Sequence, residues 1–61
     1  MHYAFEIYED KRGETRFRFK APNGQVMFSS QGYKQKSSAL KAIESIQTNA
    51  PAAQIQEIAE A

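Results

Sequence analysis

Sixty-one residues with no cysteine, a single histidine and a formal net charge of +1 place this chain outside several functional classes at once. Disulfides and thiolate metal sites are excluded, and eight basic against seven acidic residues fall short of the basic excess of a dedicated nucleic-acid binder. So short a chain makes one domain, residues 1–61, that buries a small share of its surface; with cysteine absent, oligomerisation is the staple that remains.

Tyr3 to Tyr8 (YAFEIY) alternates, with Tyr3, Phe5 and Ile7 on one face and Ala4, Glu6 and Tyr8 on the other, the pattern of a half-buried strand. Thr15 to Ala21 (TRFRFKA) divides more cleanly. Thr15, Phe17, Phe19 and Ala21 share one face, and Arg16, Arg18 and Lys20 share the opposite one. Apolar faces must meet, which sets Ile7 opposite Phe17 and Phe5 opposite Phe19. Asp10 then pairs with Glu14, and the loop between them is Lys11-Arg12-Gly13, with Gly13 at the position where such loops need a positive φ.

Alternation resumes over Gln25 to Ser30 (QVMFSS), directly after Asn23-Gly24, a strong hairpin signal. Taken as a two-residue type I′ turn, that pair sets Pro22 opposite Gln25, Ala21 opposite Val26 and Phe19 opposite Phe28. Pro22, which cannot donate to a ladder, falls at the strand end. The expected sheet is a three-strand antiparallel meander with Tyr3, Phe5, Ile7, Phe17, Phe19, Val26 and Phe28 on a face that needs a cover.

Lys36 to Asn49 (KSSALKAIESIQTN) is the expected cover, with Ala39, Leu40, Ala42, Ile43, Ile46 and Ala50 at helical spacing and Pro51 as a stop. Its start is open between Ser37 and Gln35 as the cap. Tyr33, in the connection before it, is read as packing over the open end of the sheet with its hydroxyl in water. The tail, Ala52 to Ala61 (AAQIQEIAEA), suits either a short helix, from Ile55 and Ile58 three apart, or an extended edge strand.

The motifs F-x-I-Y at Phe5 to Tyr8, R-F-R-F-K-A, the Asn23-Gly24 turn, S-S-x-G-Y at Ser29 to Tyr33, I-E-S-I at Ile43 to Ile46 and Asn49-Ala50-Pro51 together resemble the YegP-like family of small bacterial proteins, a domain of unknown function. The resemblance covers roughly Phe5 to Pro51. It implies an α+β fold: a three-stranded antiparallel meander packed on one α-helix, with a short C-terminal extended segment (β-β-β-α-β). It also implies that such units occur singly or as a tandem pair, so that a single copy imitates the pair by forming a two-fold homodimer. Lys34-Gln35 stands where the family carries serines, which leaves the helix start open. No activity, cofactor or catalytic residue comes with the resemblance.

Strand periodicity gathers Tyr8, Arg16, Arg18 and Lys20 on the outer sheet face, with Met27 on the third strand, while Ile55 and Ile58 lie in the tail. A salt-laced, half-solvated sheet with pairs such as Glu6 and Arg18 is the plainest account of the charges. Tyr8 and Met27 on a polar face, and two isoleucines with little core left to join, point to a self-associating interaction module. The alternative is nucleic-acid binding through Arg16, Arg18 and Lys20, with Tyr8 and Tyr33 as stacking residues. Glu6 on that face and the near-neutral charge oppose it.

Catalysis is not expected. Ser29-Ser30 and Ser37-Ser38 lack a base, Glu9-Asp10 reads as a solvated turn rather than a metal site, Gly24 and Gly32 are too isolated to cradle a phosphate, and His2 sits at a terminus. No cofactor is implied, and no small-molecule ligand is indicated. With no apolar run near the roughly 18 residues of a membrane span and no signal-peptide pattern at Met1, the expectation is a cytoplasmic protein without membrane contact.

Overall fold

In the computed structural model, which describes residues 1–59, the alternating segments form β1 (Ala4–Glu9), β2 (Thr15–Lys20) and β3 (Val26–Ser29). They make one antiparallel sheet in the order β1-β2-β3, followed by the helix α1 (Lys36–Asn49) and a 3₁₀ turn, Ala50–Ala52. The β1–β2 register is the expected one, with Ile7 opposite Phe17, Glu6 opposite Arg18 and Phe5 opposite Phe19.

Both hairpins close in the same way. The Asp10 N–H donates to the Glu14 carbonyl at 2.9 Å and the Gly13 N–H to the Asp10 carbonyl at 3.0 Å. Ala21 to Gln25 repeats the pattern at 2.8 Å, with the Gly24 N–H on the Ala21 carbonyl at 2.9 Å. Gly13 and Gly24 take φ of 80° and 90°, and among the described residues no non-glycine φ is positive.

Asn23-Gly24 is therefore not a type I′ turn, which would need a positive φ at Asn23 as well. The ring of Pro22 suits the first central position of a type I turn, and the loop becomes Pro22-Asn23-Gly24. The expected pairings of Pro22 with Gln25 and Ala21 with Val26 are corrected accordingly: Pro22 lies in the loop, and Lys20 faces Val26. Phe19 still meets Phe28, because Met27 is an extra residue in β3 and absorbs the slip as a bulge.

α1 begins after Gln35, which settles the cap in its favour over Ser37. The Gln35 side chain makes no capping hydrogen bond; its carbonyl accepts from Ser38 and Ala39 at 3.1 and 3.4 Å. Near the other end the Asn49 amide donates to the Ser45 carbonyl at 3.0 Å, and Pro51 falls in the 3₁₀ turn. Ala53 then leaves in an extended conformation, φ −69° and ψ 139°. Residues 53–59 form no helix and pair with no strand, and the end of the expected tail segment, positions 60 and 61, lies outside the described residues.

The core is smaller than the sequence suggests. Phe17, Ala39 and Ile43 are buried, with Phe5, Tyr33, Ala42 and Ile46 packed around them. Tyr3, Ile7, Val26, Phe28 and Leu40, all expected at the covered interface, stay exposed. The physical reason is placement: α1 lies against β2, with Ala39, Ala42, Ile43 and Ile46 in the core cluster there, and β3 beyond is left bare.

Candidate functional site

The outer face is the first of two surfaces with functional promise. Strand pairing sets Glu6 beside Arg18, and the Arg18 guanidinium donates to its carboxylate at 2.8 Å while Lys20 Nζ stands 3.4 Å from the other oxygen. Arg18 also lies over the Tyr8 ring, 5.2 Å from its centroid. Arg16 donates to Asp10 Oδ2 at 2.7 Å, and Asp10 Oδ1 accepts from the Arg12 and Glu14 N–H groups at 2.9 Å each. Asp10 thus holds the turn and neutralises a strand residue at once.

These contacts move the protonation equilibria in the direction they must. The hydrogen bond from Arg18 holds the Glu6 carboxyl below its ordinary range, with Lys20 assisting. The hydrogen bond from Arg16 does the same for Asp10, helped by the Glu14 backbone N–H, and Asp10 in turn raises the Arg16 guanidinium. All three basic side chains of the row, Arg16, Arg18 and Lys20, lie against a carboxylate, and Met27 stands exposed beyond them at the β3 bulge.

The serine, glycine and tyrosine of the connection after β3 serve the fold. Ser30 Oγ accepts from the Phe17 N–H at 3.0 Å and donates to the Gln31 carbonyl at 2.7 Å, while the Ser30 N–H meets the Phe17 carbonyl at 2.8 Å. Tyr33 bridges Thr15 by two backbone hydrogen bonds of 2.8 Å and stacks on Phe17, centroids 6.2 Å apart, which is the packing role expected of it. Gly32 has the Glu14 carboxylate where a Cβ would stand. Among the described residues no three His, Cys, Asp or Glu side chains gather to hold a metal, and no helix is long and apolar enough to cross a membrane.

The second surface lies on the helix side, where the cover ends. Phe5, Phe19, Phe28, Ile46, Ala50 and Pro51 line an open apolar groove of about 440 Å³. Its aromatic floor is a row, with Phe5 4.8 Å from Phe19 and Phe19 5.5 Å from Phe28 between ring centroids. Sequence periodicity assigned these residues to the core and so missed the groove. The signal was the imbalance between one helix of fourteen residues and seven sheet side chains to be covered. Ile55 and Ile58 are exposed in the tail that starts at the rim of this groove, and the structure brings neither to the outer-face residues Tyr8, Arg16, Arg18, Lys20 and Met27.

Residues 10–57 match the family described as a domain of unknown function, DUF1508. The chain belongs to that family. It is 67% identical over 51 residues to UPF0339 protein Atu0232 of Agrobacterium fabrum, covering 84% of this chain and 82% of that one. The solution NMR structure of protein ATU0232 from Agrobacterium tumefaciens superimposes with a TM-score of 0.78 at 62% identity, over 90% of this chain and 89% of the other. An NMR structure of a protein from Haloferax volcanii gives a TM-score of 0.83 at 33% identity over 93% and 97% of the two chains, so the likeness is not confined to bacteria. UPF0339 protein YegP of Yersinia pestis is 43% identical over 47 residues, which are 77% of this chain but 42% of that protein.

Proposed function

We propose that this DUF1508 chain is a non-catalytic, cytoplasmic interaction module whose first partner is a second copy of itself. The observation that carries the reading is the unfinished core: three residues are buried, Phe5 and Phe19 are only half-covered, and Phe28 and Val26 stay exposed beside an open apolar groove. A domain of this size has no stability to spare, and covering such a face is worth about 25 cal/mol per Å² of apolar surface removed from water. The YegP relative, in which the matched segment takes 42% of the length, has room for a second unit beside the first; two single chains would make the same pairing between molecules.

Of the residues proposed for the contact surface, we favour Ile55 and Ile58, exposed in the tail that leaves the groove's rim after Pro51, over Tyr8, Arg16, Arg18, Lys20 and Met27. The basic row has spent its charge on Glu6 and Asp10, which also weakens the case for nucleic acid as the partner. Sedimentation equilibrium at micromolar concentration is expected to give the mass of two chains. A mass of one chain, with the tail intact, removes the proposal, and salt-dependent binding to a random duplex would put nucleic acid in its place.

A further inference from the structure

We infer that Asn23 is a modification site gated by the β2–β3 turn. When the turn opens, the Gly24 nitrogen attacks the Asn23 side-chain amide and converts it to aspartate and isoaspartate; while the turn is closed, the reaction is held off. Self-pairing plays no part in it.

The two reacting groups are neighbours in sequence and open to water. Asn23 is exposed, and nothing stands within 4 Å of the place where a Cβ on Gly24 would be, so no side chain crowds the attack. Once the Gly24 nitrogen gives its proton to a base in solution, its lone pair bonds to Asn23 Cγ. The bond from Cγ to the amide nitrogen breaks, and that nitrogen takes up a proton and leaves as ammonia. Water then opens the five-membered imide. Cleavage at Cγ gives aspartate, and cleavage at the Asn23 main-chain carbonyl gives isoaspartate, whose backbone runs through Cβ. Isoaspartate lengthens by one carbon the loop that sets Phe19 against Phe28.

In the closed turn both groups are held. The Gly24 N–H donates to the Ala21 carbonyl at 2.9 Å, and Asn23 Oδ1 accepts from the Gln25 N–H at 3.0 Å. The first of these bonds, with trans peptides and a negative φ at Asn23, makes Ala21 to Gly24 a type I turn, whose second central residue has a ψ of about 0°. At that ψ the Gly24 nitrogen eclipses the Asn23 nitrogen, whereas closing the imide ring needs it to eclipse Cβ. The turn must therefore unwind and lose both hydrogen bonds before the ring can form. The unwinding is local: the loop is closed by the Ala21 N–H on the Gln25 carbonyl, and β3 behind it is four residues long and exposed throughout. Segments with so little buried surface open well before the fold as a whole. Asn49 is the internal control, since its amide donates to the Ser45 carbonyl and its successor, Ala50, carries a side chain.

The test incubates the full-length protein in mildly alkaline buffer, both folded and in guanidinium chloride above its unfolding transition, and follows isoaspartate at position 23 by peptide mapping with mass spectrometry. Hydrogen exchange of the Gly24 amide, read by NMR, reports turn opening in the folded sample. Modification should run on the order of tenfold or more faster in denaturant than in the fold, because two hydrogen bonds of modest net worth must open first. Asn49 should stay intact over the same period, and Gly24→Ala should slow the reaction of the unfolded chain. Low denaturant that speeds Gly24 exchange should speed folded-state modification in proportion. Equal rates in the folded and unfolded chain, or a folded-state rate that does not follow Gly24 exchange, overturn the gate; an unfolded chain that keeps Asn23 intact overturns the site.

Discussion

The two ends of the helix-side face are made of the same aromatic side chains, yet the Phe17 end is sealed and the Phe28 end is open, at 2% and 43% exposure. At the sealed end the connection from β3 to α1 is tied down: Ser30 is bonded to the Phe17 backbone, Tyr33 to Thr15, and the Tyr33 ring lies flat on Phe17. At the open end β3 has four residues and a bulge, the helix runs out at Asn49, and nothing from residues 53–59 folds back. In so small a domain, burial follows from which backbone is tied across the sheet. The count of apolar residues does not decide it.

Phe17→Ala gives the largest effect. Emptying the sealed end should cost about 3–5 kcal/mol, most of the stability of a domain this size, and cooperative urea unfolding followed by circular dichroism should disappear at every protein concentration. Phe28→Asp tests the open end: association should be lost, a deficit of roughly 1.5–3 kcal/mol per copy, and the urea midpoint should fall and no longer rise with protein concentration.

The turns come next. Gly24→Ala, at φ 90° with open space around it, should cost about 1–2 kcal/mol through backbone strain alone. Gly32→Ala meets the Glu14 carboxylate, which can swing aside, and the Glu14 Cβ at 3.2 Å, which must give slightly, so its cost in unfolding free energy from urea titration should be less, below about 1 kcal/mol.

The smallest effect is electrostatic. Asp10 and Glu6 titrate below their ordinary range when folded, so their pairs support the fold fully above the unfolded carboxylate range near pH 4. That support fades as pH drops through the lowered folded values. Thermal melts should therefore fall on acidification, and Asp10→Asn should flatten part of that slope without changing the order of the other effects.

The β1–β2 hairpin was legible because two independent signals agreed, the alternation of TRFRFK and the glycine at position 13. The second hairpin misled because Asn-Gly is so often a two-residue turn; the proline before it converted the loop to three and moved Val26 to Lys20. Helix periodicity told that α1 meets the sheet but not which strand it lies against, so Tyr3, Val26 and Phe28 were assigned a cover that a helix seated on β2 does not supply. On the outer face the Glu6–Arg18 pair followed from register, whereas Asp10 reaching Arg16 from the turn did not, since it needs the loop conformation. The tail resisted reading because two isoleucines three apart suit a helix and a strand alike, and residues 53–59, exposed throughout, have no packing that decides between them.

The most direct test of a fold finished by its second copy is whether stability depends on concentration. If two chains fold and pair together, raising protein concentration a hundredfold should lift the urea midpoint by about 1 M, from mass action and an m-value of ordinary size for a small dimer. A midpoint that stays fixed across that range contradicts the account, because the Phe28 end would then be stable in water by itself.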